Sequence, residues 1–125
     1  MKKISSDDMF QIIAAELPEA TEEIQKPSTR ENLAALLQGV VNYLRDRLAM
    51  HEIGKVRYTM AFMGWVYTTS DEKVRDLVEN LFIRSFNSLK RHCSKLEWEE
   101  IESSIPQRLF SIYLVQRIHE HPAKP

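Results

Sequence analysis

The stretch MAFMGWVYTT, residues 60–69, carries no charge in a chain where 28% of residues are charged. From Met60 to Tyr67 it is apolar throughout if Gly64 is counted, but eight residues fall far short of the roughly 20 that span a bilayer. Val56, Tyr58, Met60, Ala61, Phe62, Met63, Trp65, Val66 and Tyr67 point in every direction around a helical wheel. The pattern therefore predicts a helix from about Lys55 to Tyr67 that is covered on most sides. A half-buried strand would alternate strictly, and the flanking periods are helical. The expected role is core, so emptying Trp65 should cost a few kcal/mol, roughly the range of lost aromatic sites.

Outward from this segment, period 3.6 persists in both directions. On the N-terminal side, Leu33, Leu36, Leu37, Val40, Val41, Leu44 and Leu48 form one stripe of an amphipathic helix, with Asn32, Gln38, Asn42, Arg45 and Asp46 opposite. Ser28 and Glu31 have the spacing of a capping box at its start, and Gly54 suits a left-handed cap at its end. An earlier helix opens with SSDD, which supplies acceptors and negative charge to the free amides. It carries Met9, Ile12, Ile13 and Leu17 inward and stops at Pro18. Residues 19–26 read equally as a loop or a helical turn.

On the C-terminal side, Ser70 is the expected cap of a fourth helix, with Asp71 and Glu72 at its positive end. Val74, Leu77, Val78, Leu81, Phe82, Ser85, Leu89 and Cys93 share one side of it, with Phe86 at the edge. A short helix around Leu96 to Glu102 follows. A last one, opened by Ser104 and Pro106, buries Leu109, Phe110, Ile112, Tyr113 and Ile118 in some combination. With no hairpin signal and no alternating run, the expected fold is all-α, with five to six helices in a compact bundle or a short solenoid-like array. It forms a single domain over 1–125, with a flexible start and a flexible tail after about residue 120.

The charges exclude several functions. Seventeen Lys/Arg face eighteen Asp/Glu, and neither half of the chain is basic, which weighs against nucleic acid or an anionic membrane as partner. A lone cysteine excludes an internal disulfide framework and fits a reducing cytoplasm. The N-terminus lacks the apolar run of a signal peptide, so a cytoplasmic location is expected.

Catalytic motifs are missing where they would be recognisable. His51–Glu52 begins a HExxH pattern, but position 55 is lysine. His119 and His121 flank Glu120 at the edge of a proline-broken tail, so no metal site is expected. His92 precedes Cys93, yet helical neighbours project about 100° apart, and Cys93 reads as a small apolar residue closing a stripe. The pairs Asp76/Glu79 and Glu99/Glu102 suit solvated helix faces, and three glycines leave no phosphate loop. No catalytic residue, cofactor or metal is expected. The residues left for binding are Trp65, Tyr67, Phe86 and Trp98 as partner anchors, and Arg84, Arg91 and Lys95 as phosphate contacts. One alternative is a small-ligand binder or enzyme with a pocket among Met60, Met63, Trp65 and Tyr113, and another is a weak nucleic-acid binder acting through Arg84, Arg91 and Lys95.

The pattern MAFMGWVYTTSDEKVRDLVENLFIRSF, followed by LEWEEIESSIPQRLFSIY, resembles a group of small uncharacterised all-helical bacterial proteins, a domain family of unknown function. In these an apolar helix precedes one with an acidic-Asn-Leu core, and Ile-Pro starts the last helix. Some such proteins look like immunity or antitoxin components of bacterial conflict systems. The resemblance covers about half the chain and carries over packing residues only. The missing catalytic and cofactor constellations, together with the surplus aromatics, lead us to expect a non-catalytic protein that works by protein–protein contact, an immunity-type inhibitor being the form the resemblance suggests; a homodimer that buries a leftover apolar face in a two-fold interface is also expected.

Overall fold

The computed structural model describes residues 3–20 and 32–120, and these form six helices. Helix α1 is Ser6–Glu16, α2 is Leu33–Ala49 and α3 is Ile53–Thr69. Helix α4 is composite: it is regular over Glu72–Leu77, widens to a π-helix over Val78–Phe82, tightens over Ile83–Ser85, and ends through Phe86–Leu89 and Lys90–His92. Helices α5, Lys95–Ser104, and α6, Gln107–Glu120, complete the fold.

The termini of these helices show why the chain breaks where it does. At α1 the Asp8 carboxylate accepts from the Ser5 amide at 3.0 Å and from its hydroxyl at 3.1 Å. At α5, Ser94 and Glu97 form a reciprocal capping box. Four expected caps are relocated. Ser28 and Glu31 lie outside the described residues, and α2 is capped by Asn32, whose side chain accepts from the Ala35 amide, so Asn32 ends the helix instead of lining its polar face. The left-handed residue after α2 is His51, at φ 58°, and not Gly54. There the His51 amide donates to Leu48 and the Glu52 amide to Arg47, a Schellman closure, and Gly54 is already inside α3. The cap of α4 is Asp71, accepting from Val74, while the Ser70 hydroxyl is buried with no partner among the described residues. Ser70 sits one residue too early because its backbone pairs with Ile4 in a single parallel bridge, which ties down the start of the chain from Ile4 on. Ser104 closes α5, its hydroxyl turned back to Ile101.

Helix α2 is the centre: it packs against α1, α3 and α4, and Leu36, Leu37, Val40, Leu44 and Leu48 are fully buried. A solenoid would give each helix only its sequence neighbours, so this is a bundle. Helix α3 in turn packs on α5 and α6. Its Gly64 faces α6 so closely that a Cβ there would lie 2.5 Å from Pro106 Cγ. The π segment breaks the regular stripe expected of α4. Its turn closes from the Ile83 amide to the Val78 carbonyl, so each residue rotates less than in an α-helix, and Ile83 and Phe86 come to lie in the core beside Val74, Val78 and Phe82. The side-chain amide of Gln116 on α6 donates to the Glu79 carbonyl in this segment at 2.8 Å. Among the described residues no helix is long and apolar enough to cross a membrane.

Candidate functional site

Of the four aromatic anchors expected from the sequence, only Trp65 reaches solvent. Phe86 is fully buried, with its ring 5.4 Å from Phe82, 6.2 Å from Trp98 and 5.3 Å from Tyr113. Trp98 is also buried and donates its indole N–H to Glu102 at 3.0 Å. Tyr67 is buried under the Arg108 guanidinium, its hydroxyl donated to Glu79 at 2.9 Å. These three complete the core and present no anchor. Burial also raises the Tyr67 pKa, with the Glu79 hydrogen bond adding to it.

Trp65, expected in the core, is 50% exposed. The reason is the position of α3. Met60, Met63 and Val66 point into the bundle and are fully buried, which leaves Gly54, Tyr58, Ala61, Trp65 and Thr68 on the outward side at spacings of four and three. The same geometry removes the ligand pocket expected among Met60, Met63, Trp65 and Tyr113: three of these fill the core, and Trp65 faces away from them.

Trp65 stacks on Phe62 with ring centroids 6.1 Å apart, and the two line a groove of about 320 Å³ with Glu16, Tyr58 and Ala61. Tyr58, 53% exposed, donates its hydroxyl to the Glu16 carboxylate at 2.6 Å, which raises the phenol pKa. The groove runs on into a second hollow of about 250 Å³ between α1 and α3, sharing Glu16 and Tyr58 and adding Pro18, Glu19, Tyr43, Gly54 and Lys55.

That end is charged. Lys55 binds Glu19 at 2.9 Å and Glu52 at 3.0 Å, and Arg47 binds Glu52 at 2.7 Å while its guanidinium stacks over Tyr43. The hydrogen bonds Lys55 donates to Glu19 and then to Glu52 raise its pKa, and the one it donates to Glu52 lowers that of the Glu52 carboxyl. Tyr43 is raised chiefly by burial. Every shift moves its group further from neutrality, the opposite of what acid–base chemistry at pH 7 requires.

The other sequence candidates stay apart. Arg84, Arg91 and Lys95 are all exposed, but Arg84 lines a cleft between α4 and α6 with Ser111, Ile112, Val115 and His119, whereas Arg91 and Lys95 flank the α4–α5 junction. Cys93 is partly buried against the core, and its thiol pKa is raised by that burial and by Glu97, so it is no activated nucleophile. His51 bonds Glu97 at 2.9 Å. Among the described residues no three His, Cys, Asp or Glu side chains converge on a metal position, and His121 lies outside them. Tyr58 was not among the sequence candidates; its spacing of seven from Trp65 was the available signal.

No curated protein and no solved structure matches the chain. A family model does, described as a domain of unknown function (DUF7674), over residues 10–120, and the chain belongs to that family.

Proposed function

We propose that this member of the DUF7674 family is a non-catalytic domain that acts by protein–protein contact through the outward face of α3. The observation that carries the reading is the Tyr58–Ala61–Trp65 stripe. It is a half-exposed tryptophan and tyrosine on one rigid helix, flanking a small residue that lets a partner approach, in a protein whose other tryptophan is buried. Aromatic anchors with an apolar body and a polar tip are the residues that dominate binding energy at interfaces. An immunity-type inhibitor, masking one protein by stoichiometric contact, is a specific role such a face would serve.

The test is quantitative capture from the native cells with wild type and Trp65→Ala as baits. A protein recovered with wild type and lost with the variant supports the reading. Equal recovery by both, or a stoichiometric cofactor found in the purified protein by mass spectrometry, would overturn it.

A further inference from the structure

The α3 face has a complement on the same chain. Helix α6 exposes Leu114 at 40%, Val115 at 53% and Ile118 at 67%, which with Ser111 form one outward stripe at i, i+3, i+4, i+7. The sequence led us to expect Ile118 among the buried residues of α6, but that side of the helix has no neighbour among the described residues. The two stripes differ in charge. Around the α6 stripe stand Arg108 and Arg117, held only over the Tyr67 and Tyr113 rings at 5.7 and 5.6 Å and paired with no carboxylate among the described residues. Arg84, His119 and Glu79 line the adjoining cleft, the Glu79 carboxylate accepting from the Tyr67 hydroxyl. Within the α3 groove the carboxylate is Glu16, whose described partner is the neutral Tyr58 hydroxyl. Glu19 and Glu100 lie on its rims, and the nearby cations Lys55 and Arg57 are already in salt bridges. A face whose Glu16 has no cationic partner and a face whose Arg108 and Arg117 have no carboxylate partner, among the described residues, are complementary both in apolar surface and in sign.

We propose that the chain self-associates head to tail, the α6 stripe of one copy lying in the α3 groove of the next, with Ile118 and Val115 against Trp65 and Tyr58 and an arginine of α6 reaching Glu16. This rests on the reading of α3 as an interaction face and names its partner as a second copy. A two-fold contact of α3 on α3 would instead bring the Glu16 and Glu19 rim of one copy against acidic rims of the other. Because the two faces differ, the contact is heterologous and does not close at two chains. Two half-exposed aromatics on one side and three partly exposed aliphatic side chains on the other make a small patch, so the contact belongs with weak associations below about 1,200 Å².

Sedimentation velocity from about 10 μM to 1 mM on purified full-length protein tests it, that range bracketing weak contacts. Wild type should pass beyond dimer mass as concentration rises, less so in high salt. Trp65→Ala, which loses the groove, and Ile118→Asp, which loses the stripe, should each stay monomeric while melting cooperatively. Mixed one to one, they should form a dimer and stop, because one good copy of each face remains. A wild type that is monomeric throughout overturns the inference. So does a mixture that stays monomeric while wild type associates, or association that survives either substitution. None of these outcomes touches the capture of a foreign partner, which is read from cell extract.

Discussion

Two glycines on α3 give opposite predictions for the same substitution. Gly64 is buried, and a Cβ built on it would stand 2.5 Å from Pro106 Cγ and 2.8 Å from Pro106 Cβ. Carbon atoms rest at about 3.5–4.0 Å, so alanine at 64 must push the start of α6 away from α3 by roughly an ångström. The obstacle is a proline ring, which cannot swing aside as the tip of a long side chain would. Overpacking of this kind costs typically about 1–3 kcal/mol, and a contact this short belongs at the upper end. Alanine returns about 1 kcal/mol through its better helix propensity, leaving Gly64→Ala net destabilising by about 2 kcal/mol.

Gly54 has nothing within 4 Å of such a Cβ, and its φ is ordinary. Gly54→Ala should therefore stabilise, by about 0.5 kcal/mol given its place in the first turn. Urea denaturation of both variants measures the difference, with Tm falling several degrees for one and rising slightly for the other. If Gly64→Ala stabilised as much as Gly54→Ala, the close seating of α6 on α3 would be wrong, and with it the account of which side of α3 faces out.

The remaining predictions read other parts of the fold. Phe86→Ala should cost about 3–5 kcal/mol as a fully buried aromatic, and Trp65→Ala no more than about half of that, both from urea midpoints; equal losses would return Trp65 to the core. His51→Gly should stabilise, because relief of a left-handed conformation worth about 1–2 kcal/mol outweighs one exposed bond to Glu97, and an unchanged melt would count against the Schellman closure. The Glu97 carboxyl is held below its ordinary value of 4.5, first by the Ser94 amide and then by His51. A depressed pKa contributes stability that is complete above the unfolded value and is lost as pH falls through the folded one, so Glu97→Gln should flatten the decline in Tm below about pH 4.5. Gln116→Leu removes the donor to the Glu79 carbonyl and should cost about 1–2 kcal/mol for an orphaned buried acceptor, visible as faster hydrogen exchange in the π segment.

How far these features were legible in the sequence depended on whether one helix or two had to be known. The α2 stripe from Leu36 to Leu48 and the inward Met9 and Ile13 of α1 were readable because helical period alone selects a face. The Ser94–Glu97 box went unread although its spacing is local. The cap assigned to Ser70 failed for a tertiary reason, its pairing with Ile4, and the one assigned to Ser104 for a local one, since Pro106 holds Ile105 extended and ends α5 at Ser104. The π turn has no composition of its own. It is held by Gln116, 37 positions away, so a regular period carried through α4 misplaced Ile83 and Phe86.

The face of α3 was the hardest case because its apolar residues encircle it. Periodicity finds the inside of a helix by contrast with its polar side, and from Met60 to Tyr67 there is no contrast to use. A helix apolar all round is either buried all round or leaves apolar surface exposed for use. The six helices of the described residues supply neighbours for three sides of α3, namely α2, α5 with α6, and the end of α1. The fourth side is Tyr58, Ala61 and Trp65. The absence of charge that identified the segment as core in the sequence leaves, in the folded chain, one apolar side that the described residues do not cover. Replacing that side with ordinary polar residues would cost the fold little, whereas any partner seated there would lose its anchor.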